Sequence, residues 1–173
     1  IDNNDCVFLS VVMASDVTDQ PMYIGTDMNA ADDEPLLCEK FIQPTEDENG
    51  ILLDVNYTDE DKYNFAFDTV DEIARKEPNK LAMVHVANDM TARKFTFKDI
   101  KDASSQSANY FKSLGIKRGD RVLLVLKRHY QFWFAMLGLN RLGAIGIPAT
   151  NQLQEHDFEY RFQSAGVSAI ICT

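Results

Sequence analysis

Cysteine is scarce. Cys6, Cys38 and Cys172 are odd in number, far apart and in no CxxC pair. Neither a disulfide framework nor a zinc site is expected, which leaves three buried or idle thiols in a reducing compartment. Long apolar runs are missing as well. The longest apolar region, 132–148, is broken by Asn140 and Arg141, short of the roughly 18 residues that a membrane-spanning helix needs. No secretory leader is visible; the expected location is cytoplasmic. Positive charge is almost absent from the first third: residues 1–61 carry sixteen acids and only Lys40 as a base. Residues 62–173 carry eleven acids and sixteen bases. With a net charge of −10, no nucleic-acid partner is expected, whereas the mildly cationic later part suits anionic ligands.

Several motifs are also lacking. Neither GxxxxGK[ST] nor GxGxxG occurs, and there is no Gly-x-Ser-x-Gly elbow. His85, His129 and His156 have no ligand partners at helical spacing, so surface or half-buried positions are expected for them. Asp27, Asp32, Asp33 and Glu34 cluster in 27–34, but the central glycine and closing glutamate of a calcium loop are missing. No metal site is expected, and there is no internal repeat.

What is present is concentrated in 115–150. RVLLVL (121–126) is a nearly continuous apolar run, as in a strand covered on both faces. Phe132, Ala135, Met136, Leu139 and Leu142 then step by three and four, which is one face of a helix. Trp133 is expected in the core beside them. Gly143 sits where a helix end needs a left-handed residue, and AIGI (144–147) reads as a second strand stopped by Pro148. Strand, helix and strand at this spacing predict two parallel strands joined by a right-handed crossover.

The flanks extend this unit. Asp68 and Asp71 predict the start of a helix that ends before Pro78. LAMVHV (81–86) and RKFTF (93–97) predict an antiparallel hairpin turning at Asn88 and Asp89. Thr96 with Asp99 predicts the cap of a long helix closed by Gly115. A further helix over 155–165 and a buried strand, VSAIIC (167–172), follow. The expected fold is therefore α/β: part of a doubly wound, mainly parallel sheet with flanking helices and an N-terminal β-hairpin. Residues 1–55, with apolar runs CVFLSVVM and MYI among turn signals, are expected to be an acidic, β-containing appendage. TEDENG (45–50) is the expected linker, and 56–173 the main domain. Ligands of such sheets sit beyond the carboxyl ends of the strands. Those ends are Lys127-Arg128-His129 and Pro148-Ala149-Thr150-Asn151; the first is basic enough to meet a phosphate, the second small and polar.

Three motifs in order complete the reading: Phe95-Thr96-Phe97-Lys98-Asp99, Gly115-Ile116-Lys117-Arg118-Gly119-Asp120-Arg121-Val122, and Leu142-Gly143-Ala144-Ile145-Gly146-Ile147-Pro148. With them, 62–173 resembles the amino-terminal part of AMP-forming acyl-CoA synthetases, members of the adenylate-forming superfamily. The resemblance implies activation of a carboxylic acid by ATP and Mg2+ to an acyl-adenylate, then transfer to coenzyme A. It places Thr150, Asn151 and Gln152 in a loop that helps line the coenzyme A tunnel. Lys127, next to Arg128, stands where relatives commonly carry proline. The phosphate loop, the magnesium motif and the catalytic lysine of the family have no counterpart here. The piece alone is thus expected to be inactive, to bind none of these cofactors tightly, and to self-associate through open strand edges. Two rivals stay open: a peptide-synthetase or aryl-acid adenylation domain, and a non-catalytic binding or assembly module that uses the acidic segment.

Overall fold

The computed structural model describes residues 8–10, 40–59 and 61–173. The MYI run, the acidic segment 27–34, Cys6 and Cys38 lie outside the described residues. In chain order the elements are β1 (Phe8–Ser10), β2 (Ile42–Glu46) and β3 (Leu52–Tyr57), then a π-helical segment (Phe65–Asp71) that runs into α1 (Glu72–Lys76). They continue with β4 (Leu81–Val86), β5 (Ala92–Thr96), α2 (Phe97–Ser113), β6 (Arg121–Val125), α3 (Gln131–Leu142), β7 (Ile145–Pro148), α4 (Glu155–Ala165) and β8 (Ala169–Cys172). The chain divides between Tyr63 and Asn64 into two compact units, the second of which includes β1. The division expected at 55/56 falls inside β3.

In the first unit β2 and β3 pair antiparallel. TEDENG is therefore a hairpin turn and not the linker expected of it. Its reason is local: Asp47 Oδ1 accepts the backbone N–H of Asn49 at 2.8 Å and of Ile51 at 2.9 Å. Gly50 takes φ +76°, a left-handed conformation that suits glycine.

In the second unit β4 and β5 form the expected antiparallel hairpin, and β1 adds to its other side as a third antiparallel strand. The other sheet has the order β7-β6-β8, with both pairings parallel. The third strand in sequence thus returns past the first, so right-handed crossovers put α3 and α4 on opposite faces. Val122 and Leu124 pack with Phe111, Ala135 and Leu139 in one cluster. Leu137 of α3 turns the other way, into a second cluster with Ala66, Val70, Met83, Phe95 and Ile100. The helix is thereby wedged between the hairpin and the parallel sheet, and Trp133 packs against the second cluster as a core residue. On the α4 side the sheet is thinly covered. Helix α4 has no buried residue, and VSAIIC, expected to be a buried strand, leaves Ile170 42% exposed.

Caps fix where the helices sit. Thr96 Oγ1 accepts the Asp99 N–H at 3.2 Å, and Asp99 Oδ2 accepts the Thr96 N–H at 2.9 Å, the reciprocal box expected from the sequence. The Thr96 backbone N–H, and after it the Thr96 hydroxyl, hold the Asp99 carboxyl below its usual range. Leu114 ends α2 and Gly115 follows at φ +91°. The first helix departs from expectation, because Asn64 rather than Asp68 starts it. Asn64 Oδ1 accepts the Ala66 N–H at 3.0 Å, while Asp68 reaches back to the Asn64 N–H at 2.6 Å. Asn64 Nδ2 also donates to the Asn140 carbonyl of α3 at 2.7 Å. That long-range bond moves the helix start four residues upstream.

Candidate functional site

Because β6 and β7 are parallel neighbours, their carboxyl ends lie at one edge. The Ala149 N–H donates to the Leu124 carbonyl at 2.9 Å, one step past the paired strands. The loop that holds Thr150, Asn151 and Gln152 thus leaves the sheet beside the strand that ends in Lys127 and Arg128. All five of these side chains are exposed. The Gln152 N–H donates to Thr150 Oγ1 at 3.2 Å, a local turn that fixes the start of the loop. The two sequence-predicted segments therefore come together, at the strand ends where open α/β sheets take ligands.

A third segment joins them that sequence reasoning did not supply. Arg93 of β5 donates from Nη1 to the Tyr130 hydroxyl at 2.8 Å. Its guanidinium lies over the rings of Tyr130 and Phe95, 5.0 and 5.2 Å from their centroids. Tyr130 directly follows the Lys127-Arg128-His129 run and stands at the N-cap of α3. Its ring meets that of buried His85 edge-on at 5.1 Å. Burial pushes the His85 imidazole below its usual pKa, and the nearby charges of His129 and Arg93 add to the effect. Of the three histidines only His85 is buried, whereas His156 is largely exposed, 3.7 Å from Asp157.

A charge pattern marks the same edge. Residues 121–154 contain no aspartate or glutamate, in a chain with 27 acids. Lys127, Arg128, His129 and the 149–154 loop all fall within this stretch. The stretch therefore carries a net positive charge, which attracts anions. Among the described residues no group of His, Cys, Asp or Glu side chains is placed to hold a metal ion. At the opposite edge of the sheet an open groove is lined by Lys112, Ile116, Lys117, Arg118 and Leu142. Arg141 also borders it, but its guanidinium is engaged by Asp71.

Comparison with known proteins bears on what this edge serves. The family model for the AMP-binding enzyme matches residues 70–173. The chain belongs to the AMP-binding enzyme family. Among curated relatives, the rat acyl-coenzyme A synthetase ACSM2, mitochondrial, is 34% identical over 116 residues, 64% of this chain and 20% of the relative. Human acyl-coenzyme A synthetase ACSM3, mitochondrial, is 33% identical over 115 residues, 63% of this chain and 20% of the relative. The chain thus spans about a fifth of the length of these family members. Among solved structures, an acyl-CoA synthetase from Brucella canis superposes with a TM-score of 0.60 at 27% identity, covering 64% of this chain and 20% of that one. The N-terminal subdomain of Klebsiella oxytoca NpsA superposes at 0.54 with 24% identity, over 61% of this chain and 26% of that one, a likeness of fold. No helix among the described residues is long and apolar enough to cross a membrane.

Proposed function

We propose that this chain forms the amino-terminal part of an AMP-forming acyl-CoA synthetase. The complete enzyme would join a carboxylic acid to the α-phosphate of ATP, with Mg2+, as an acyl-adenylate, releasing pyrophosphate, and pass the acyl group to the thiol of coenzyme A, releasing AMP. The observation that carries the reading is the shared edge: Lys127 and Arg128 beside Thr150, Asn151 and Gln152, at parallel strand ends within an acid-free stretch. Lys127 and Arg128 would meet the phosphate groups of coenzyme A, and the Thr150 loop would admit its thiol-bearing arm past small polar side chains. Phosphate charge in the adenylation step needs further donors and Mg2+. The 173 residues alone are therefore inactive and bind ATP, Mg2+ and coenzyme A weakly. Cytoplasm is the compartment expected from the sequence; the mitochondrial names of the relatives make the mitochondrion the competing address, and cell fractionation decides between them.

The test uses the complete protein. Replacing Lys127 and Arg128 with alanine should raise the KM for coenzyme A while leaving acid-dependent pyrophosphate exchange intact, because only the second half-reaction uses the tunnel. Loss of both halves together, or of neither, overturns the assignment of this edge. Clear exchange activity from the 173 residues alone overturns the inactive-piece reading. A second reading has one observation in its favour: NpsA, whose fold this chain shares, was solved in complex with 3-hydroxyanthranilyl-AMSN. An aryl-acid adenylation enzyme would prefer benzoate-type acids over aliphatic ones in the same assay.

A further inference from the structure

We propose that Arg93 and His129 form a phosphate-binding subsite at the start of α3, continuous with the Lys127-Arg128 loop. The proposal rests on the acyl-CoA synthetase reading and adds to it a residue from the β5 hairpin. Three observations converge on it. The first is seating. Arg93 is an exposed side chain whose guanidinium is nonetheless held in place, by one hydrogen bond to the Tyr130 hydroxyl and by two aromatic rings. A cation fixed before a ligand arrives loses less side-chain freedom on binding, and a guanidinium fork matches phosphate oxygens.

The second is the lack of a counter-charge. No carboxylate among the described residues forms an ion pair with Arg93, while Lys62, Arg75, Lys80, Lys98, Arg141 and Arg161 each have one. Strands β4 and β5, the 127–130 turn and helix α3 contain no acid at all. In a chain this acidic, a pre-seated arginine with no ion-pair partner among the described residues is conspicuous. The third is what lies beneath. His85 Nε2 is buried and accepts or donates no hydrogen bond, and this ring abuts Tyr130. Arg93 and His129 both lie near enough to disfavour its protonation. His129 directly precedes Tyr130, whose hydroxyl receives Arg93 and whose ring meets His85, so both side chains stand by the same buried imidazole. The first turn of α3, whose leading residue Tyr130 supplies no side-chain cap, adds a field of the same sign.

The ligand class is a small-molecule phosphate monoester, and the probe is AMP. Histidine ring resonances of the 173-residue protein report binding. AMP and inorganic phosphate should shift the His129 signals, and adenosine and acetate should not. In R93Q the affinity for AMP should fall about ten-fold, the size of a lost charged hydrogen bond, with the far-ultraviolet spectrum unchanged because Arg93 is exposed. In H129Q the Arg93 side-chain resonance should shift with AMP, more weakly. AMP that leaves His129 unmoved overturns the proposal, as does equal affinity in R93Q. Vesicles containing phosphatidic acid form the control arm: binding to them without any response to AMP assigns the patch to a lipid surface and also overturns it. The two readings fail separately. If AMP shifts His129 but the complete protein transfers no acyl group to coenzyme A, the subsite stands and the synthetase reading falls. If transfer occurs while no phosphate moves His129, the reverse holds.

Discussion

Arg141 and Asp71 meet in a two-pronged ion pair across 70 residues of sequence. Nη1 donates to Oδ2 at 2.8 Å and Nη2 to Oδ1 at 2.6 Å. The arginine side chain is only 7% exposed. Its Nε donates to the Ser104 hydroxyl at 3.0 Å, and Ser104 is itself fully buried. Three helical elements, around Asp71, Ser104 and Arg141, are thus tied at one point. Removing one partner strands a buried charge. Asp71→Asn should cost about 3 kcal/mol of stability, read as a lower urea midpoint with an unchanged slope. A loss below about 0.5 kcal/mol would show the pair to be solvated like a surface ion pair.

At Gly138 helix α3 lies close against α2. A Cβ there would stand 2.9 Å from Ser107 Cβ and 3.1 Å from the Ala108 backbone nitrogen. Backbone cannot step aside as a flexible side chain can. Gly138→Ala should therefore destabilise by about 1–3 kcal/mol through overpacking, despite alanine's better helix propensity. Stabilisation in a thermal melt would mean that the two helices separate easily.

His85 predicts a pH dependence. Burial, then His129 and Arg93, push its pKa below the ordinary 6.5. The folded chain therefore favours the neutral ring, and the unfolded chain binds the extra proton. Stability from this source is complete above the unfolded value and is lost as pH falls below it. The urea midpoint should drop between about pH 7 and about pH 5.5, above the range in which carboxylates titrate. His85→Gln should flatten that segment of the curve. An equally steep drop in the variant would assign it to other groups.

The β2–β3 hairpin carries exposed apolar side chains: Leu52 at 56%, Leu53 at 65% and Tyr57 at 64%. Such a patch on a two-stranded sheet favours association. Light scattering of the 173-residue protein should show mass rising with concentration, and Leu53→Lys should reduce the rise. A constant monomer mass over a hundred-fold dilution range would contradict this.

Much of the second unit could be read from the sequence because its signals are local. The step of Phe132, Ala135 and Leu139 gave α3, Gly143 ended it at φ +68°, and Thr96 with Asp99 placed α2. The parallel pairing followed from strand, helix and strand, and with it the adjacency of Lys127 and Thr150. Other features depend on contacts that no window of sequence contains. Asn64 wins over Asp68 as a cap because of a carbonyl on α3, 76 residues away. Arg93 reads as an ordinary exposed residue of an alternating strand until Tyr130 is brought under it. TEDENG looked like a linker because its acids and glycine are linker-like, yet Asp47 turns them into a tight hairpin. The absence of acids from 121–154 is legible in the sequence, but a split of the charge at residue 61 averages it with the acids that flank it at 68–120 and 155–159.

Helix α3 has almost no outer side: Gln131 is its single exposed residue. Its amide protons are therefore released to solvent only when both neighbouring layers come apart, which makes it the slowest-exchanging element in deuterium labelling. A segment wedged in this way also leaves sequence drift little room, since a change that suits the hairpin side is felt at once by the sheet.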